Sequence, residues 1–212
     1  MQVKSEFIIA DEAALRRLFD VQTPLAAQKC LRALDAHATA FIQRAPFFCL
    51  GTQDLAGRAD VSPRGDPAGF VQVLDPQTLA IPDRPGNNRL DSLSNILANP
   101  AVGLLFIIPG FDDTLRVNGE ARLVTDPDLL AGMRVNDRLP KLAILVEVKE
   151  VFLHCAKAFR RSGLWDPARF QDRKAFPSLS QMILEQAGRA PASSEIPRLD
   201  ADLEVEYQRS MY

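Results

Sequence analysis

The chain has 212 residues, of which 47% are hydrophobic and 25% are charged, and this is the ordinary composition of a globular domain. Its formal net charge of −2 and pI near 5.7 argue against a general nucleic-acid binder, which needs a basic balance or a long basic stripe. No apolar run approaches the roughly 18 residues of a membrane span, and no signal-type segment follows Met1, so we expect a cytoplasmic protein that binds neither nucleic acid nor membrane.

Residues 11–45 are predicted to be helical. One helix covers Asp11 to Phe19, and a longer one begins with Thr23 as its N-cap and Pro24 at its first helical position. The apolar stripe of the longer helix consists of Leu31, Leu34, Ala38 and Phe41. Such a stripe is typical of a helix that packs on a core.

From Pro46 onward, short apolar or alternating runs are separated by turn residues, which indicates β-strands. Seven strands are predicted, over residues 47–52, 58–62, 70–74, 78–81, 102–109, 115–124 and 141–155. The run from Gly103 to Ile108 is continuously apolar, so we expect both of its faces to be buried. The pattern predicts a mainly β fold with flanking helices, built as an antiparallel barrel or sandwich.

Helices are also predicted within and after the strands. One follows Asn88, and another opens at Asp126 and Pro127. Beyond Cys155 the chain becomes helical and basic, with later helices near 178–186 and 200–208. We expect a single domain over 1–212, made of N-terminal helices (1–45), a barrel core (46–155) and a helical extension (156–212).

The stretch from Asp83 to Pro100 contains a candidate anion site. Asn87 or Asn88 is the expected N-cap of a short amphipathic helix that stops at Asn99 and Pro100. Free backbone amides at a helix start, next to the guanidinium groups of Arg84 and Arg89, would hold a phosphate. The alternative is a capped surface helix with two solvated arginines.

The sequence lacks the common catalytic and metal-binding motifs. It contains no nucleotide-binding glycine loop, no nucleophile elbow and no paired cysteines, and it has only two histidines. Three widely separated cysteines, Cys30, Cys49 and Cys155, are expected to be reduced and buried. No metal site and no catalytic side chain is predicted, so any chemistry must come from a bound cofactor.

Five segments in this order resemble the FMN-binding split-barrel superfamily of pyridoxamine 5'-phosphate oxidase-like proteins, and in particular its branch of pyridoxamine phosphate oxidase-related FMN-binding proteins. These segments are Pro46–Thr52, Asp60–Asp66, Asp83–Pro100, Asp113–Ala121 and His154–Trp165. The resemblance implies an antiparallel split β-barrel, FMN as the cofactor, and a homodimer with two equivalent FMN sites at its interface.

The same resemblance implies roles for individual residues. The FMN phosphate is assigned to Asn88 and Arg89, with Arg84 and Ser94. The flavin ring and ribityl chain are assigned to the segment with Val61, Ser62, Arg64 and Gly65, and to the end of the next strand at Ile81 and Asp83. The residues that would reach the site from the other subunit are Lys157, Arg160 and Trp165.

Two departures from the family limit the implied activity. The C-terminal Arg-Leu-His-Asp-Arg-like motif of authentic pyridoxamine phosphate oxidases is absent, and Asp60–Arg64 replaces their usual Arg-x-Val-Leu-Leu-Lys strand. Three functions remain open. They are an FMN-dependent oxidoreductase acting on a small-molecule substrate or electron donor, a non-catalytic flavin- or haem-binding protein for storage, sensing or cofactor transfer, and a dimeric interaction protein without cofactor.

Overall fold

The computed structural model describes residues 3–212, except for the side chains of residues 26 and 27. Its strands are β1 (Phe47–Gln53), β2 (Ala59–Gly65), β3 (Gln72–Asp75), β4 (Thr78–Pro82), β5 (Ala101–Ile107), β6 (Thr114–Val124) and β7 (Ala143–His154). They form one antiparallel sheet in the order β2-β1-β5-β6-β7-β4-β3. All seven predicted strands are therefore confirmed, as is the mainly antiparallel fold with flanking helices.

Eight α-helices surround this sheet in the described part of the chain. They are α1 (Glu12–Arg16), α2 (Pro24–Gln28), α3 (Ala36–Arg44), α4 (Asp91–Ala98), α5 (Pro127–Ala131), α6 (Lys157–Ser162), α7 (Leu179–Gln186) and α8 (Ile196–Ser210). No helix within residues 3–212 is long and apolar enough to cross a membrane.

The core lies between one face of the sheet and the helices α3 and α4. Alternate residues of the strands point into it, among them Phe48 of β1 and Phe106 of β5, whose rings are 5.1 Å apart. Ile42 of α3 and Ile96 of α4 close the same core from the helical side. The prediction that β5 is buried on both faces is wrong, because its second face is only half-buried.

A β-bulge in the long hairpin of β6 and β7 requires glycine. The register shifts by one residue between Asn118, which pairs with Glu150, and Gly119, which pairs with Val148. A Cβ atom on Gly119 would lie 2.2 Å from the carbonyl oxygen of Glu147, so any other residue would collide with the neighbouring backbone. The bulge therefore depends on Gly119.

The single long helix predicted from Thr23 to Arg44 is wrong, since the chain forms α2 and α3 with an extended break between them. In the break, Leu31 and Val151 exchange two backbone hydrogen bonds of 2.9 and 2.8 Å. Strand β4 pairs only with residues 143–147 of β7, which leaves the edge of β7 free further along. Pairing at this free edge competes with helix formation around Leu31.

Two predicted helices differ from the observed ones in their first or last residues. The first helix is shorter than predicted, with Asp11 as its N-cap and Arg16 as its last residue, and α8 is longer than predicted. The predicted helices at Pro127–Ala131 and Leu179–Gln186 are confirmed. The cysteines are free, as expected, but Cys30 and Cys155 are exposed rather than buried.

Candidate functional site

An open cleft of about 1200 Å³ lies at the start of α4. Its walls come from β2, from the loop between β4 and α4, from residues 138–142 before β7, and from the end of α8. The Asp83 amide donates to the carbonyl oxygen of Leu142 at 3.0 Å, and this bond holds the two loops side by side. Segments far apart in the sequence therefore meet around one cavity.

The first turn of α4, from Leu90 to Leu93, lines this cleft. Its N-cap residue is Leu90, in the left-handed region at φ 60°, and no side chain caps the helix. The predicted N-caps Asn87 and Asn88 are therefore wrong. Asn87 instead accepts a hydrogen bond from the Arg89 amide at 3.1 Å, and Asn88 is itself left-handed at φ 58°. The amides of Asp91 to Leu93 have no partner within the helix, and they carry the positive end of its dipole.

Hydrogen bonds tether α4 to β2 and β1. One Asp60 carboxylate oxygen accepts from the Ser92 hydroxyl at 2.7 Å and from the Thr52 hydroxyl at 3.3 Å. Ser92, which is buried, also contacts the Ser62 hydroxyl at 3.0 Å. In the next turn of the helix, the side-chain amide of Asn95 donates to the Thr52 hydroxyl at 3.0 Å. These contacts set the direction in which the helix start faces.

Three arginines of the cleft are each bonded to an aspartate. Arg64 donates to Asp83 at 3.1 Å and to the Ser62 hydroxyl at 3.3 Å. Arg89 donates to Asp91 at 2.8 Å, and this hydrogen bond raises the pKa of its guanidinium. The side chain of Arg89 remains 73% exposed, so the pair is accessible to a competing anion.

The third pair, Arg84 and Asp66, is buried. Arg84 donates from Nε to Asp66 at 2.6 Å, and the side chains are 16% and 0% exposed. A buried carboxylate needs its hydrogen bonds, because an unpaired charge in a low dielectric is costly. Arg84 is therefore held in place by the protein rather than free to follow a ligand.

Seven of the thirteen residues predicted for the cofactor line this cleft: Ser62, Arg64, Gly65, Asp83, Arg84, Asn88 and Arg89. Three others on the same elements do not. Val61 is 70% exposed, because side chains alternate along β2 and its neighbours Asp60 and Ser62 take the inner face. Ile81 is buried in the core, and Ser94 faces solvent on α4.

The remaining three predicted residues lie near α6, outside the cleft of their own chain. Arg160 donates to Asp112 at 3.0 Å, and the Trp165 indole donates to the Phe111 carbonyl oxygen at 2.8 Å. Lys157 is the first residue of α6. Their expected action from the other subunit stays a prediction.

Sequence reasoning missed several lining residues. Ser92 could have been found, because a small polar residue beside Leu93 on the buried face of a helix indicates a hydrogen-bonded position. Arg138, Lys141 and Tyr212 carried no local signal, since they reach the cleft only through the tertiary fold.

The geometry defines a class: an antiparallel sheet protein with a cleft at a helix start, lined by arginines that are paired with aspartates. Residues 34–155, more than half of the chain, match the model of the pyridoxamine 5'-phosphate oxidase family. The chain belongs to this family, so the expected kinship with pyridoxamine 5'-phosphate oxidase-related split-barrel proteins is confirmed. No curated protein matches the chain.

Several solved structures are similar to the chain. HupZ from Group A Streptococcus is 15% identical, with a TM-score of 0.46 over 57% of this chain and 93% of that one. A putative pyridoxamine 5'-phosphate oxidase from Lactobacillus delbrueckii is 21% identical, with a TM-score of 0.44 over 57% and 99%. An FMN-binding protein from Syntrophomonas wolfei is 11% identical, with a TM-score of 0.44 over 56% and 84%.

Removing the Ser92 hydroxyl tests the tether between α4 and β2. We expect Ser92→Ala to lower the free energy of unfolding by about 1–3 kcal/mol, because the partly buried Asp60 carboxylate loses a donor. The matched control is Ser94→Ala, an exposed serine of the same helix, which should change it by less than about 0.5 kcal/mol. Equal urea-unfolding curves for the two variants would contradict the tether.

Proposed function

We propose that this protein binds FMN in the cleft and works as a flavin-dependent oxidoreductase on a small-molecule substrate or electron donor. The observation that carries the proposal is the meeting of Arg64, Arg84 and Arg89 with the uncapped start of α4, in a chain of the pyridoxamine 5'-phosphate oxidase family. When bound, FMN supplies hydride or electron acceptance at its N5 atom.

The residues of the cleft fit such a ligand. About 1200 Å³ is ample for one small molecule, since cofactor sites enclose about 300–1,000 Å³. The α4 amides and Arg89 would hold the phosphate by charge-assisted hydrogen bonds. Phe70, Leu93 and Leu142 supply apolar walls within the same cleft.

Carboxylates in the cleft impose one condition on binding. Asp91 already holds the Arg89 guanidinium, so an incoming phosphate must compete with it. This competition is feasible, because both side chains are substantially exposed, at 73% and 48%, and surface ion pairs contribute only about 0–1 kcal/mol. Arg64 would remain near the ring to stabilise negative charge on reduced flavin.

An absorbance spectrum of freshly purified protein tests the proposal directly. We expect the two flavin bands, with FMN released on heating at about one molecule per chain. Protein that is colourless and takes up no added FMN would contradict flavin binding. A Soret band would instead indicate haem.

Substitution of Arg89 tests the phosphate site. Arg89→Ala should weaken FMN binding by about 1.5–3 kcal/mol, the range for a charge-assisted hydrogen bond. The matched control is Arg58→Ala, since Arg58 is also exposed and also paired with an aspartate, but lies in the turn between β1 and β2. Titration of apoprotein with FMN by flavin fluorescence measures both affinities. Unchanged affinity in Arg89→Ala excludes Arg89 as a phosphate ligand.

Binding without turnover is the second candidate function, and one feature of the cleft favours it. The carboxylates Asp60, Asp83 and Asp91 that line the cleft all accept hydrogen bonds from serine or arginine. No histidine or cysteine lines the described part of the cleft, so two of the common proton-transfer residues of enzymes are missing there. Reduction of the bound flavin by NADH or NADPH would separate the oxidoreductase from the storage or sensing protein.

We also propose that the protein acts as a homodimer with the FMN sites at its interface. One chain exposes 14761 Å², whereas a compact monomer of 23.4 kDa exposes about 9,700 Å² by the surface scaling of monomeric proteins. Val61, Leu90 and Leu97 are 70%, 53% and 76% exposed on the elements around the cleft. Such apolar exposure beside a site supports a second copy as its cover.

The dimer is tested by light scattering during dilution, with flavin release followed in parallel. We expect a dimer at high concentration and FMN release at the concentrations where the dimer separates. A stable monomer that holds FMN tightly would contradict an interfacial site.

A further inference from the structure

The helical extension returns to the cleft from the far end of the chain. Glu206 and Ser210 of α8 line the cleft, and so does Tyr212, two residues beyond this helix. The region that matches the family ends at residue 155, so these contacts come from outside it. The wall that they form is a feature of this chain's own extension.

Tyr212 is bonded to the buried ion pair of the cleft. Its hydroxyl donates to Asp66 Oδ1 at 2.7 Å, while Asp66 Oδ2 accepts from Arg84 Nε at 2.6 Å. The Arg84 guanidinium carbon lies 5.7 Å from the centre of the Tyr212 ring. Arg138 donates to the main-chain oxygen of Tyr212. Tyr212 thus contacts both members of the pair through its side chain and Arg138 of the 138–142 loop through its main chain.

The hydrogen bond from Tyr212 is important because its acceptor, Asp66, is a buried carboxylate. Its side chain is fully buried, and the Tyr212 hydroxyl and Arg84 are its two side-chain donors. A hydrogen bond to a buried charged group is among the stronger ones in proteins. Loss of the hydroxyl would leave one carboxylate oxygen without this donor, and Arg84 without part of its support.

Tyr212 lines the cleft without filling it. The cleft measures about 1200 Å³ with Tyr212 in place, which is ample for a small ligand. The tyrosine therefore does not need to leave before a ligand binds. Tyr212 contacts Asp66 directly after β2, Arg84 in the β4–α4 loop and Arg138 in the 138–142 loop, so it ties the end of α8 to three segments.

We propose that Tyr212 is a positioning residue that fastens α8 along the cleft, holds Arg84 against Asp66, and thereby slows the escape of the phosphate-bearing ligand. This inference rests on the proposed function, since FMN is the ligand through which the escape is measured. Asp66, Arg84 and Arg138 contact Tyr212, and Glu206 faces the same cleft from α8. In agreement with this geometry, the hydrogen bond to Asp66 raises the pKa of the Tyr212 phenol.

The chain has two tyrosines, which provides a matched pair of variants. Tyr212→Phe removes only the hydroxyl that donates to Asp66. Tyr207→Phe makes the same change on α8, at a residue that is 45% exposed and does not line the cleft. FMN release is followed by the recovery of flavin fluorescence after dilution into an excess of a non-fluorescent competitor. We expect release to be about tenfold faster in Tyr212→Phe, the factor for loss of one hydrogen bond to a charged group, and unchanged in Tyr207→Phe.

Two measurements without cofactor test the fastening itself. Tyr212→Phe should be cleaved faster by trypsin after Arg209, because the end of α8 is released, while Tyr207→Phe should match the wild type. In an alkaline titration of tyrosinate absorbance, the tyrosine that remains in Tyr207→Phe should ionise above the ordinary pKa range of a tyrosine, because its hydroxyl donates to Asp66. This spectroscopic signature reports on Tyr212 itself, and a loss of stability alone would not produce it.

The outcomes separate this inference from the proposed function. Equal FMN release in the two variants overturns the role in ligand retention, and equal cleavage overturns the fastening. If the wild type binds no FMN, the proposed function fails and retention fails with it, while cleavage and titration still decide whether Tyr212 fastens α8.

Discussion

The site depends on the hydrogen bond between Ser92 and Asp60. This bond joins the first turn of α4 to the edge strand β2, and it is 2.7 Å long between partly buried groups. The contact between the Ser92 and Ser62 hydroxyls and the hydrogen bond from Asn95 to Thr52 support it, and apolar packing alone does not specify direction. These polar contacts together orient α4, whose first turn lines the cleft.

A second constraint is the buried charge of the Asp66 carboxylate, which follows β2. The Asp66 side chain has no solvent exposure and takes donors from two distant segments, the β4–α4 loop and the residue beyond α8. Buried charges of this kind favour one arrangement strongly, because any other leaves a carboxylate unpaired. Arg84 is thereby a rigid part of the wall, whereas Arg89 and its partner Asp91 are both exposed.

Much of the fold was predictable because local patterns and tertiary contacts agree there. Alternating or apolar runs bounded by turn residues marked all seven strands, and residues such as Asp126 and Ser178 cap helices where they were expected. The failures occur where a distant partner competes with a local preference. Leu31 lies in a helical pattern, yet its backbone pairs with Val151, and Asn87 and Asn88 were replaced as N-cap by left-handed Leu90.

The sequence by itself determined the succession of strands and most helices along the chain, because it depends on local periodicity. It also determined the family resemblance, and seven of the residues that this resemblance assigns to the cofactor line the cleft, because the motifs lie within short segments. Only the tertiary structure decided which residues meet there. Ser92 reaches Asp60 over 32 positions and Tyr212 reaches Asp66 over 146. Strand alternation also turned Val61 outward while Ser62 and Arg64 faced inward. Contacts at such separations depend on how the whole sheet and its helices pack, and no local pattern records that packing.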